Sequence, residues 1–317
     1  MNDQAFLENT TSELLALSDA CSLRLSNCYA ERGMIASPIP LPILGIDTEA
    51  PGIATLWVQV PKSLASEYRP GQYFMCWNPY DSAGGMNRSH FSSEKPYSVG
   101  NMGLGTDGRV FLGFTVKDLG IQSGELTKLS IGDWLAIRGP FGTSFPDSSD
   151  GDRMILVSGG IGSTPIHMAA LSCRNALGDR VRIDAIMGFR NSEESHYVSR
   201  MEAVCDTVQI TTDDGTLGSH GFPTIHLPNL IESPHRGRAK LFTCGPEPMM
   251  KAVLMMAIDA GIESYAAMER YLPCSVAVCG LCMVGDRLTC IDGPVMEGDW
   301  LLGQDDFGKP HIAHSHT

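Results

Sequence analysis

The spacing of apolar positions changes character three times along the chain. Residues 1–36 set Leu14, Leu15, Leu17, Leu23 and Leu25 among polar side chains, the pattern of one or two amphipathic helices that cover a neighbouring surface and carry no chemistry. From Pro38 to about Phe145 the apolar runs are short and separated by Gly, Pro and Asp. Runs at 53–60, 72–76, 97–99, 110–116 and 134–138 predict the strands of a small antiparallel barrel. Residues 152–265 alternate strand-like runs, at 154–158, 181–187, 208–212 and 240–243, with helical or loop segments, the first helix reaching about residue 176. That alternation predicts a parallel sheet with crossover helices. The fold class expected is therefore multi-domain α+β: an extension (1–36), an antiparallel β-barrel (37–150), an α/β parallel-sheet domain (151–265) and a small C-terminal cysteine module with its tail (266–317).

Composition narrows the partners. A net charge of −13 disfavours nucleic acid and anionic membrane, both of which need a basic face. No apolar run approaches a bilayer span, and the start MNDQAF lacks the basic and apolar regions of a signal peptide, so the expected location is the cytoplasm. Ten cysteines in such a chain point to metal or redox use. Cys21 and Cys28 read as buried apolar residues, and His311, His314 and His316 as part of a mobile polar terminus.

Four of the cysteines, Cys274, Cys279, Cys282 and Cys290, fall within seventeen residues as C-x4-C-x2-C-x7-C. The first three follow the plant-type spacing for a [2Fe-2S] cluster, in which one tight loop presents three thiolates and a following segment the fourth. Gly280 lets backbone N–H groups approach the cluster sulfurs. A zinc site, usually two short Cys pairs, fits less well because only Cys279 and Cys282 form a C-x2-C unit. Disulfides would need an oxidising compartment.

A cluster carries one electron at a time, so the other segments should show where electrons come from. In the barrel region stand Lys95-Pro96-Tyr97-Ser98 on a strand, Gly120-Ile121-Gln122-Ser123 opening a short helix, and the turn Gly139-Pro140-Phe141-Gly142. A flavin needs an aromatic face beside its ring, a hydrogen-bonding partner near N5 and backbone donors for its pyrophosphate. Tyr97, Ser98 and the Gly120 to Ser123 turn match those needs in that order. In the sheet region, Gly159, Gly160, Gly162 and Thr164 join a strand to a helix start, a phosphate cradle. The other strand ends read Gly188-Phe189-Arg190, Thr212-Asp213-Asp214-Gly215 and Cys244-Gly245-Pro246, where ligands bind in such sheets.

The order of these motifs, ending in the four cysteines and Asp292-Gly293-Pro294-Val295, resembles the electron-transfer subunit of type B dihydroorotate dehydrogenase. That family is similar to ferredoxin reductases with a C-terminal cluster module, and the resemblance spans roughly residues 38–300. It implies an FAD-binding barrel, an NAD(H)-binding domain and a [2Fe-2S] cluster that exchanges electrons with a separate, FMN-containing catalytic subunit of pyrimidine biosynthesis, in a hetero-oligomer. By its motif, Tyr97 and Ser98 contact the isoalloxazine ring of FAD, Lys95 and Pro96 belong to the same cofactor-binding stretch, and Gly120 to Ser123 contact its phosphates. Gly159, Gly160, Gly162, Thr164, Arg190, Asp213, Asp214, Gly245 and Pro246 line the nicotinamide nucleotide, with Cys244 near the nicotinamide; Cys274, Cys279, Cys282 and Cys290 hold the irons. The chemistry falls on Tyr97, Ser98 and Cys244. Three positions depart from the family pattern: Lys95 replaces an Arg, Ser275 stands where Gly usually follows the first cluster cysteine, and Gly120-Ile-Gln-Ser replaces a Gly-x-Gly-Thr turn. Similar subunits serve sulfhydrogenases, anaerobic sulfite reductases and electron-bifurcating transhydrogenases. A stand-alone ferredoxin reductase and a zinc-holding nucleotide regulator complete the alternatives.

Overall fold

The computed structural model describes residues 10–32, 39–80 and 94–309, with the side chains of 24–32 and 39 left aside. His311, His314 and His316, and the side chain of Cys28, therefore lie outside the described residues. Two compact units emerge, one from the residues up to Phe141 together with Leu272–Cys279, the other from Gly142–Tyr271 and the residues from Gly280 onward. Among the described residues no helix is long and apolar enough to cross a membrane.

In the first unit, strands β1 (Ile39–Ala50), β2 (Ile53–Val60), β3 (Tyr73–Trp77), β4 (Lys95–Leu104), β5 (Val110–Lys117) and β6 (Trp134–Phe141) close in the order β1-β2-β5-β4-β3-β6. Each neighbouring pair is antiparallel. Strand β1 has no counterpart among the predicted strands, because Pro40 and Pro42 argue against one. Both prolines lie in the stretch that pairs with β6 alone, and pairing with β2 starts at Ile43, so their missing donors cost no second ladder. The expected turn at Gly139-Pro140-Phe141 is instead the end of β6. Gly139 has φ +147° there, and a Cβ would sit 2.9 Å from the Tyr73 carbonyl oxygen, so this crossing of β3 requires glycine.

A single helix, Ser12–Arg32, covers the outside of this barrel. Leu14 and Leu15 pack on Leu44, Trp57 and Phe111. Asp19 accepts from Arg109 Nε and Nη2 at 2.9 and 2.6 Å and from Gln59 Nε2 at 2.7 Å. The Arg109 bonds hold its carboxyl below the usual carboxylate range. Cys21 is buried.

In the second unit, β7 (Arg153–Gly159), β8 (Arg182–Phe189), β9 (Thr207–Thr212), β10 (Ser219–His220), β11 (Ala239–Cys244), β12 (Glu263–Ala267) and β15 (Val295–Glu297) form one sheet in the order β10-β9-β8-β7-β11-β12-β15. Its strands from β7 to β12 all run parallel, as expected, and β15, from the C-terminal module, adds an antiparallel neighbour to β12. The chain between them makes only the ribbon of β13 (Met283–Val284) and β14 (Arg287–Leu288), with no crossover helix to reverse its direction. Both faces are covered. Helix Ser163–Leu177 packs Ile166, Ala170 and Cys173 against Leu156, Ile183 and Phe242, while Leu227, Val253 and Ala257 lie against Ile155, Val157 and Leu241. Strand order reverses at β7, with β8 on one side and β11 on the other, which places a crevice at its carboxyl end.

Candidate functional site

Each unit carries part of the predicted site. In the barrel, Lys95, Pro96, Tyr97 and Ser98 open β4 opposite Cys76, Met75, Phe74 and Tyr73. All four are half-buried, whereas Val99 to Asn101, which follow, are buried. A barrel strand that stays half-open at one end keeps a face for a ligand. Burial raises the Tyr97 phenol and lowers the Lys95 ammonium from their ordinary values. Gly120 precedes the helix Ile121–Leu126 in extended backbone. The Ser123 hydroxyl is engaged inside that turn, accepting from the Leu119 N–H at 2.9 Å and donating to the Gly120 carbonyl at 3.2 Å. It therefore shapes the turn.

Cys274 and Cys279 belong to the same unit as the barrel, and their sulfurs lie 3.3 Å apart. The backbone between them takes positive φ at Ser275 (59°) and Ala277 (61°), and Gly280 follows at 72°. Left-handed residues alternating with ordinary ones turn successive N–H groups inward, a concavity suited to an anion. Burial pushes the Cys274 thiol up, but N–H groups of Val276, Cys279 and Val278 pull it down to about 7. Left-handed backbone costs a side chain on the order of 1 kcal/mol, and Ser275 carries a further burden: its hydroxyl is buried without a hydrogen-bond partner. Cys282 and Cys290 are buried in the other unit, where Thr289 donates from both N and Oγ1 to the Cys282 carbonyl at 3.1 and 2.8 Å. Among the described residues no three His, Cys, Asp or Glu side chains gather closely enough to hold a single metal ion.

At the carboxyl edge of the sheet, the ends of β7 and β11 meet backbone to backbone. A Cβ on Gly162 would lie 2.3 Å from the Cys244 carbonyl oxygen, and one on Gly245 would lie 2.9 Å from both N and O of Gly159. A Cβ on Gly159 would press on Pro246 and Met249, while one on Gly160 would meet nothing within 4 Å. Of the three glycines in the turn, Gly159 and Gly162 thus serve the seam between two strand ends, and Gly160 keeps the outer approach clear. Thr164, in the first turn of helix Ser163–Leu177, has a buried hydroxyl without a partner. Gly162→Ala is expected to lower affinity for a nicotinamide nucleotide at least about tenfold by pushing these ends apart, a misplacement of ligand-positioning groups. Titration of the nucleotide against the variant and the parent measures it.

Burial holds the Cys244 thiol well above its ordinary value, with the Glu269 carboxylate adding to the shift, so Cys244 stays a neutral thiol and is no nucleophile. Along the edge, Arg190 is exposed and lies 4.0 Å from Glu194. Asp213 and Asp214 are exposed as well. The Asp214 amide donates to the Arg190 carbonyl at 3.3 Å, and Thr216 donates from N and Oγ1 to Asp214 Oδ1, which lowers that carboxyl's pKa. Two groups result, one of glycines with Cys244, Gly245 and Pro246, the other of Arg190 with the two aspartates.

Two residues here escaped the sequence analysis. Glu269 lies two residues beyond β12, a strand not predicted; the surrounding protein raises its carboxyl pKa although the side chain keeps solvent access. A short strand-like run ending in an acid was the available signal. His196 is buried and donates from Nδ1 to the Glu194 carbonyl at 2.8 Å, which leaves Nε2 to accept the Ser163 hydroxyl at 3.0 Å. That bond fixes the start of the helix after the glycines, and no local sequence pattern announces it.

No protein-family model matches the chain. Among curated proteins, the probable dihydroorotate dehydrogenase B (NAD(+)) electron transfer subunit of Methanocaldococcus jannaschii is 33% identical over 276 residues, 86% of this chain and 94% of that protein. The protein of the same description from Pyrococcus furiosus is 36% identical over 243 residues, 77% and 85% of the two. The dihydroorotate dehydrogenase B (NAD(+)) electron transfer subunit of Clostridium perfringens is 34% identical over 232 residues, 72% and 85%. Among solved structures, an NADH-dependent reduced ferredoxin-NADP oxidoreductase superposes with a TM-score of 0.66 at 23% identity, covering 82% of this chain and 88% of that one. The cytochrome b5 reductase domain of Ulva prolifera nitrate reductase gives 0.54 at 17%, covering 72% and 94%. These likenesses show a ferredoxin-reductase-like fold that combines an antiparallel and a parallel sheet.

Proposed function

The chain belongs to the family of dihydroorotate dehydrogenase B electron transfer subunits, and from that premise we propose that it passes electrons between NAD(H), FAD and a [2Fe-2S] cluster, to or from the catalytic subunit of dihydroorotate dehydrogenase in pyrimidine biosynthesis. The observation that carries this reading is the backbone around Cys274, where amides converge on one sulfur and a second sulfur lies 3.3 Å away. Amides aimed at a thiolate stabilise the anionic ligand a cluster requires.

The residues suit the groups assigned to them. A [2Fe-2S] cluster takes two thiolates per iron, so it asks for two pairs, whereas zinc asks for four ligands about one point. Cys274 with Cys279 forms one such pair, and buried Cys282 and Cys290 are left for the other iron. The orphaned Ser275 hydroxyl accords with a sulfur acceptor, since a buried donor otherwise costs about 1–3 kcal/mol. FAD, when bound, supplies the conversion between the two electrons of a hydride and the single electrons a cluster accepts. Half-buried Tyr97 would give its ring a flat apolar neighbour and Ser98 a hydroxyl, while amides of the Gly120 turn would hold its phosphates. Gly160 would admit the nicotinamide nucleotide, the orphaned Thr164 hydroxyl would meet its phosphates, and neutral Cys244 would pack beside the nicotinamide without attacking it. Arg190, Asp213 and Asp214 would face its ribose end.

The segment after Gly280 exposes Leu281, Met283 and Ile291, apolar side chains that would suit a protein partner. The partner would be the catalytic subunit of a hetero-oligomer. The test is a visible spectrum with iron and flavin assays on protein purified without air, before and after NADH. A flavin envelope over broad iron-sulfur absorption, both bleached by NADH, is expected. Flavin without iron would reduce the protein to a simple reductase, and absence of both chromophores from folded protein would overturn the proposal.

A further inference from the structure

Two charged side chains are buried beside the cysteine loop and have no part in the scheme above. Arg138, on β6, and Glu94, immediately before β4, are 10% and 5% exposed. Arg138 Nη2 donates to Glu94 Oε2 at 2.6 Å and to the carbonyl oxygen of Cys274 at 3.3 Å. The guanidinium also stands over the Phe141 ring, 5.1 Å from its centroid. All of these residues belong to one unit.

A buried ion pair is weak as a source of stability, because desolvation of both charges offsets their attraction. Its placement is more telling. Glu94 is continuous with the Lys95 to Ser98 stretch, and Arg138 grips the peptide of the first cysteine. We infer that Glu94 and Arg138 are positioning residues for the iron-sulfur centre: Arg138 anchors the Cys274 end of the loop, and the two opposed charges together set the reduction potential of the cluster. This rests on the cluster proposed above.

A fixed positive charge nearby favours the reduced, more negative cluster, and a carboxylate opposes it. Removing either partner alone must therefore move the potential, and in opposite directions. Glu94→Gln, which leaves the guanidinium uncompensated, is expected to raise it; Arg138→Met, which leaves the carboxylate, to lower it. Each should change the oxidised-to-reduced ratio at fixed potential about tenfold, which is about 59 mV for one electron. Arg138→Lys keeps the charge and should stay near the parent.

The measurement is a redox titration of the cluster, followed by its electron paramagnetic resonance signal, on the holoprotein purified without air. Should Arg138→Met not fold, the comparison of Glu94→Gln with the double variant Glu94→Gln/Arg138→Met isolates the guanidinium, and the double variant must titrate about tenfold lower. Potentials that shift in the same direction, or stay put in variants that retain their iron, would overturn the inference. A parent protein without iron would instead remove the cluster reading itself, so the two failures are distinguishable.

Discussion

Cys279→Ser is expected to abolish electron transfer to the partner subunit, by more than about a hundredfold, while leaving NADH oxidation by a small artificial acceptor within about twofold. A serine hydroxyl ionises far less readily than a thiol, and loss of one of four thiolate ligands removes the cluster or its function. Cys279 is the exposed member of the close Cys274 pair, so its replacement disturbs no buried packing. The residues assigned to NAD(H) and FAD, from Lys95 to Pro246, lie elsewhere in the chain, and hydride transfer should proceed without the cluster. Parallel assays with the partner and with a small dye separate these outcomes. Equal loss of both activities would mean that the loop supports the whole protein and is no electron relay.

The largest stability effect is expected at Arg153→Met. Arg153 and Asp184 are 2% and 0% exposed and pair across β7 and β8 at 2.7 Å. Arg153 Nη1 also donates to the carbonyls of Leu230 and Ser233 at 2.7 and 3.2 Å, tying the helix Leu227–Glu232 to the sheet. Without Arg153 the Asp184 carboxylate keeps only Arg182 Nε, at 2.9 Å, and Thr207 Oγ1, at 2.7 Å, in a site closed to water. Breaking one side of a buried pair costs about 3–5 kcal/mol, or roughly 10 °C in Tm for a unit of this size. The pH dependence has a definite sign. Burial raises the Asp184 pKa, but the bonds from Arg182, Thr207 and Arg153 outweigh it and leave the carboxyl below its ordinary value. Its contribution is therefore present above about pH 4, the unfolded value, and fades as the pH falls through the lowered native one. Denaturation curves for parent and variant should lie farthest apart above about pH 4 and converge below it.

Much of this architecture was legible because burial leaves a period in the sequence. The apolar run at 53–60 reads as a strand and forms β2, buried along its whole length. The glycine turn, its helix and the parallel run of β7, β8, β9 and β11 followed from strand, glycine and helix order. What escaped was set by distant contacts. Strand β1 hides its prolines where one ladder suffices, and Gly139 reads as a turn residue until the crossing with Tyr73 is known. Strand β15 is three residues long and exists only because β12 offers an edge. The same holds for the site: glycines and cysteines announce themselves by spacing, but the engagement of Ser123 within its own turn and the grip of Arg138 on Cys274, 136 residues later, do not.

The N-terminal helix raises a question of timing. Asp19 finds Arg109 ninety residues downstream, and the Leu14 and Leu15 side chains need Phe111 as well as Leu44 and Trp57. A ribosome adding roughly 5–20 residues per second needs on the order of ten seconds to make that stretch. Most of a helix's stability in a protein comes from packing its apolar face, so during that interval this helix lacks part of the surface it folds against. The helix is thus made before much of the surface it covers, and it can close only once the strands through β5 are present.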